Sequence, residues 1–429
     1  MSLVAPTAAQ HLPEPPPPNP REPVDYAKWV NDRLSQGMTE NAADVYLQIN
    51  LDETRAQSPD VKGAIDRAID GPWRLDDRKF AQAWLDANQR NLELLREGAQ
   101  RSRCFFELPK SGPLAGDPVS SGSREIRAAC KMMIAEGWGS FASDPERLAG
   151  NCAVVLRVAH HLDQDPACIR RLSGVASSAL THDALIEALA HVRDPETYAL
   201  AQLETIAAND PPLATMADTY RLENAIAFDI FQRISVWDDA ARCARFSAEK
   251  LHGSRDEVAL LTRQDFDATI RETTRFYARL IAWSAEPFHA ALPNADNLDR
   301  MLADSKNALI RKFVYSSTKP RLLADQAEAL RRATLVVYAT WVYRARHGVF
   351  PSALVRLSVP GGRETQMDPI TGERFVYRRT DDGFILYSFG RDQDDDGGRH
   401  DSDWGGSVHD EKQPDGDHVF WPPQRAGAE

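Results

Sequence analysis

The sequence predicts a mainly α protein: an all-α helical body followed by a small α+β domain, in which a long helix packs on a short antiparallel sheet. Three observations carry this. Apolar residues recur at helical spacing from Val24 to about Lys319, as in Ala184, Leu185, Ala188, Leu189 and Val192. After Lys319-Pro320, the residues Leu323, Ala327, Leu330, Thr334, Tyr338, Trp341, Val342 and Ala345 step by three and four, which draws one apolar stripe along a single helix. Two runs rich in aromatic and branched residues then follow, Arg374 to Arg379 and Phe384 to Phe389, with Thr380-Asp381-Asp382-Gly383 between them as a hairpin signal.

The chain divides into three expected parts. Residues 1–23 hold eight of the 27 prolines, so they read as a disordered, polyproline-like arm. Residues 24–319 read as the helical body, opening at Asp25 to Val30. Further helices are expected over Asp76 to Ala99, Ser123 to Glu136, Asp144 to Leu162, Pro166 to Leu180, His182 to Val192 and Pro195 to Ala208. Pro, Asp and Thr stand at several of these starts, where caps and a fixed φ belong. Ala214 to Ile234, Asp238 to Leu251, Gln264 to Ala285 and Asn297 to Phe313 complete the body, with Asp210-Pro211-Pro212 and Pro287 as breaks. In residues 320–425 the long helix should end at Gly348 ahead of Pro351, and His418 to Trp421 should close the sheet.

The 429 residues exceed the size at which one core usually stops growing, which favours two domains. The net charge of −12 excludes a nucleic-acid surface, which needs a basic footprint. From Arg391 to Asp417 there are ten acidic and three basic side chains, a net −7 that leaves −5 for the other 402 residues. Five dispersed cysteines with no C-x-x-C spacing read as reduced, buried thiols. The longest strongly apolar run, Ala333 to Tyr343, falls short of the roughly 20 residues a spanning helix needs, so no transmembrane segment is expected. No signal segment opens the chain as written. A soluble protein is expected, cytoplasmic with this start and extracytoplasmic if a leader precedes it.

The most specific chemistry lies in Asp392-Gln393-Asp394-Asp395-Asp396-Gly397, with Asp403 at the twelfth position. Ca²⁺ takes six to eight oxygens, and carboxylates at positions 1, 3 and 5 followed by glycine let a short loop wrap it. The expected ligands are Asp392, Asp394, Asp396, the Gly398 carbonyl and Asp403, with Asp401 or Asp417 as alternatives. The loop follows a strand, position 12 is Asp rather than Glu, and Arg399 takes the usually apolar eighth position, all of which argue against an EF-hand helix pair. A solvated acidic loop would have the same composition.

The C-terminal residues resemble the globular head of the major pseudopilin of type II secretion. Tyr343-Arg344-Ala345-Arg346-His347-Gly348-Val349-Phe350-Pro351 is similar to the end of that family's long helix. Asp368-Pro369-Ile370-Thr371-Gly372-Glu373 resembles its Asp-Pro-Trp-Gly turn, and Tyr387-Ser388-Phe389-Gly390-Arg391-Asp392 its Tyr-Ser-x-Gly-x-Asp. Gly397-Gly398 resembles its glycine pair. The likeness covers residues 323 to 421 and implies a helix on a small antiparallel sheet with a calcium loop beside it. The prepilin-peptidase site and membrane helix of that family are missing, so a module reused in another protein is implied, with a link to secretion or the cell envelope. The whole layout resembles bacterial proteins that join a helical body to such a head.

These readings favour a non-enzymatic interaction or scaffold protein with a protein partner. The alternative is a hydrolase using paired carboxylates in a cleft of the helical body. Arg221, Glu223 and Asp229 are candidates for an acid/base cluster there, against a bracing salt-bridge network. His160-His161 is a poor metal pair, because adjacent residues do not share a helical face. No H-E-x-x-H, Walker A, nucleophile elbow or dinucleotide motif occurs.

Overall fold

The computed structural model describes residues 11–19, 22–51, 59–110, 114, 122–235, 263–314, 318–402, 404 and 416–424. The expected helix at Asp238 to Leu251 lies outside them, as does Asp403. The helices are α1 (Tyr26–Leu34), α2 (Ala42–Tyr46), α3 (Pro59–Asp70), α4 (Arg78–Ala87), α5 (Gln89–Ala99), α6 (Ser123–Ser140) and α7 (Pro145–Asp163). They continue as α8 (Cys168–His191), α9 (Pro195–Asn209), α10 (Ala217–Ser235), α11 (Arg263–Ala285), α12 (Phe288–Ala303), α13 (Ala308–Phe313) and α14 (Lys319–His347). The sheet has the order β1 (Val376–Arg379), β2 (Phe384–Ser388), β3 (His418–Trp421), antiparallel throughout. The mainly α class with a small α+β part is therefore the observed one.

Local chemistry explains the helix starts. Asp25, Asp144 and Asp194 each accept a hydrogen bond from the backbone N–H three residues on, and Pro145 and Pro195 occupy the first turn, where a missing N–H costs nothing. Gly348 ends α14 in the left-handed region at φ 73°, returning its N–H to the Arg344 carbonyl at 2.7 Å.

Several boundaries differ from the sequence reading. The helices expected on either side of Thr181 are one helix, α8: Thr181 Oγ1 donates to the Ser177 carbonyl at 2.7 Å, satisfied without a break. Asp76 to Ala99 is instead two helices meeting at Asn88. The stretch read as Asn297 to Phe313 is α12, which begins at Phe288 and contains Pro293, and the separate short α13. Leu323 lies outside the buried stripe of α14, 48 % exposed.

Residues 11–19 of the expected disordered arm lie docked along α1 and α10. Leu12 and Pro15 are buried, and the Leu12 N–H donates to Asp218 Oδ1 at 3.2 Å. Tyr26 Oη donates to the Pro16 carbonyl at 2.8 Å, and Arg33 Nε to the His11 carbonyl at 3.1 Å. A proline-rich strand carries unused carbonyls, which these side chains take up.

Two main hydrophobic clusters result, and they do not divide the chain at Lys319. One joins α2 and α5 to α9 with α14 and the sheet; the other joins the arm and α1 with α10 to α13. Helix α14 packs on α8 and α9 through Ala333, Val336, Val337 and Tyr338, whose Oη donates to the Leu185 carbonyl at 3.0 Å. Trp341 on the same helix meets Phe350, Phe384 and Trp421 edge-on, and Phe384 stacks on Trp421 at 5.6 Å. Each such pair adds about 0.5–1.5 kcal/mol beyond its burial. The head is thus held to the body through both sides of one helix.

Candidate functional site

The acidic turn leaves β2 through Ser388. Ser388 Oγ donates to Asp368 Oδ2 at 2.5 Å, and Asp368 also accepts from the Ile370 N–H at 2.9 Å. This buried carboxylate ties the Asp368 to Gly372 turn to the strand from which the acidic residues emerge. Gly372, at φ 79°, also lets the turn approach the His289 ring of α12, where a Cβ would come within 2.6 Å.

Within the turn, Asp392 Oδ1 accepts from the Asp394 N–H at 3.3 Å. Asp395 Oδ1 accepts from Tyr387 Oη at 3.0 Å and the Gly397 N–H at 2.9 Å. Asp396 Oδ1 accepts from Arg399 Nη2 at 3.0 Å. The Gly398 N–H donates to Asp417 Oδ2 at 2.6 Å, while the Gly397 carbonyl accepts from Arg378 at 3.3 Å. Asp417 is fully buried, and among the described residues its Oδ1 has no hydrogen-bond partner. Burial raises its carboxyl above the usual range, and the charges of Asp395 and Asp396 add to the rise. Among the described residues, no three His, Cys, Asp or Glu side chains stand together as metal ligands. Of the expected ligands, then, Asp392, Asp394 and Asp396 share one turn, with an oxygen of Asp392 and one of Asp396 turned to local donors. Gly398 contributes its N–H to Asp417.

A second place was not visible in the sequence. A cleft of about 740 Å³ opens between the body and the sheet. The end of α3 contributes Asp70, and α8 contributes Asp183, Glu187 and His191, spaced four apart on one helical face. The head contributes His400, Ser402, His418 and Phe420. Asp183 is open to the cleft's solvent but surrounded by protein; burial pushes its carboxyl up to about 6, with His182 opposing the rise and Asp70 and Glu187 adding to it. Burial, then Asp66, also raises Asp70, partly offset by Lys131. Glu187 is 2.8 Å from His191. His418 stacks on Trp404 with ring centroids 3.8 Å apart, and burial, helped by His400, pushes it down to about 3. The i, i+4, i+8 spacing on α8 was the available signal and lay within the expected His182 to Val192 helix; the facing residues of α3 and the head were not signalled.

The remaining candidates separate. Arg221 binds Asp218 at 2.9 Å and Glu14 at 3.2 Å, while Asp229 takes Arg233 Nε at 2.8 Å and the Leu114 N–H at 3.1 Å. Glu223 belongs to neither set, and burial pushes it up to about 7. His161 Nδ1 lies 2.9 Å from Tyr46 Oη inside the core, and burial pushes His161 down to about 3 and His160 to about 4. Among the described residues, no helix is long and apolar enough to cross a membrane. Compared with known protein families, curated proteins and solved structures, the chain finds no match.

Proposed function

We propose that this chain is a non-enzymatic interaction or scaffold protein, linked to secretion or the cell envelope, whose pseudopilin-like head is stabilised by calcium at the acidic turn. One observation carries the calcium reading: the buried Asp417 carboxylate, with an oxygen that lacks a partner among the described residues, lies where Asp395 and Asp396 add negative charge. A buried carboxylate oxygen without a partner is costly, and a hard cation would answer it. Asp417, Asp396, Asp392 and Asp394 would hold the ion, with Asp403 and the Gly398 carbonyl as further oxygens. Arg399 would give up Asp396.

Binding to the folded state alone stabilises it by about 2.7 kcal/mol at a hundredfold excess over Kd. The full chain, in which α14 belongs to the body's core, should therefore melt higher in millimolar Ca²⁺ than in chelator. Asp417→Asn should abolish the difference. An unmoved melting curve in the wild-type chain refutes the calcium reading. The rival, a hydrolase based on paired carboxylates, draws on the raised acids Asp70 and Asp183 in the cleft.

A further inference from the structure

We propose that the cleft between α8 and the head is the docking site for a lysine or arginine side chain of an extended partner polypeptide. The inference rests on the interaction reading and does not need the calcium ion. The site combines a cavity, a charge and an apolar wall. Its volume of about 740 Å³ accommodates a side chain with its flanking residues.

The charge is negative and incompletely answered. Of the acidic and basic side chains lining the cleft, Asp70, Asp183 and Glu187 stand against Arg67 and Arg74, a formal net −1. Arg67 is committed to Asp77, with Nε–Oδ2 at 2.9 Å and Nη2–Oδ1 at 2.6 Å. Asp70 and Glu187 instead add negative field at Asp183, and Asp66 at Asp70, a field that an incoming cation relieves.

The head side offers acceptors rather than competing charge. His418 Nδ1 lies 3.3 Å from the Asp401 carbonyl, so the neutral ring carries its proton there and leaves Nε2 as an acceptor. Leu180, Ala184 and Phe420 supply apolar wall for the stem of the side chain. A free small amine would leave that wall uncovered, which is why a polypeptide is the occupant.

The test uses the full chain in chelator, so failure of the calcium reading does not affect it. The probe is a fluorescein-labelled heptapeptide with one arginine flanked by valines, followed by anisotropy. Saturable binding is expected, weakened about tenfold or more when citrulline replaces arginine and in the Asp70→Asn/Asp183→Asn variant. Because protons on Asp183 remove the attraction, affinity should also fall from pH 7.5 to 5.5. The citrulline comparison is made on wild-type protein, so it stands even if the variant fails to fold. Absence of saturable binding at millimolar peptide, or equal affinity for the citrulline peptide, overturns the proposal. Competition by free agmatine as tight as the peptide would overturn the polypeptide assignment.

Discussion

Replacing Glu328 by alanine tests how α14 is fixed to the body. Glu328 is 8 % exposed, and its two oxygens accept from three guanidinium nitrogens: Arg331 Nε at 2.7 Å, Arg331 Nη2 at 2.8 Å and Arg332 Nε at 2.7 Å. Burial alone would raise this carboxyl; the hydrogen bonds and charges of Arg331 and Arg332 outweigh it and hold it below its usual range. Arg331 also donates to the Asp210 carbonyl at 3.3 Å, linking the helix to the loop after α9. Alanine leaves the 5 % exposed Arg331 with the Asp210 carbonyl and, as counter-charge in contact range, the Asp210 carboxylate at 3.9 Å. Removing one partner of a buried pair costs about 3–5 kcal/mol, whereas replacing both by apolar residues is often close to neutral. Urea unfolding followed by circular dichroism should show that loss in Glu328→Ala and recovery of at least half of it in Glu328→Leu/Arg331→Leu. A single variant within about 1 kcal/mol of wild type would show that the pair does not fix the joint.

The other predictions concern a close helix contact and a buried acid. Gly174→Ala should destabilise by about 1–3 kcal/mol or more in thermal melts, since its Cβ would lie 2.6 Å from the Ala159 carbonyl oxygen and 2.8 Å from the Asp163 nitrogen on α7. Gly150→Ala, with nothing within 4 Å, should instead stabilise by about 0.5–1 kcal/mol. Glu223 titrates at about 7 when folded, above its unfolded value, so its stabilising contribution is present below pH 4.5 and is lost as the pH rises through 7. Glu223→Gln should therefore be more stable than wild type at pH 8, by about 1–2 kcal/mol after allowing for its partial solvent contact. The difference should vanish near pH 4.5, and an equal gain at both pH values would contradict burial as the cause.

What was legible in the sequence is what local chemistry decides. Asp144-Pro145 and Asp194-Pro195 announce helix starts because cap and fixed φ act within one turn. Thr380 to Gly383 announces the hairpin, and the Thr380 N–H does donate to the Gly383 carbonyl at 3.0 Å. What misled was chemistry decided by distant partners. Thr181-His182-Asp183 reads as a helix start, yet His182 is buried 3.2 Å from Asp210 and Asp183 opens onto the cleft. The aspartate spacing located the turn but could not show that Tyr387, Arg378 and Arg399 engage its oxygens. The cleft joins residues 70, 183 and 418, which no spacing relates.

Strand β3 connects the two places. A bulge interrupts the alternation along this strand, because Leu386 pairs with Trp421 but its neighbour Tyr387 with Val419; Asp417 and His418, before the bulge, lie on opposite faces. Trp421 stacks on Phe384 beside Trp341, while Trp404 lies against His418 and Phe420. The strand and the residue just before it therefore set the buried Asp417 carboxylate beside the acidic turn and one wall of the cleft. Its position depends on α14, because Trp421 is anchored on Trp341 while Tyr338 of that helix is anchored in the body. Helix α8 supplies the acidic wall and the head supplies the facing wall, so neither part alone has the cleft. The cleft is a property of how the head sits on the body, and the Glu328 joint with Arg331 is one of the interactions that sets that seat.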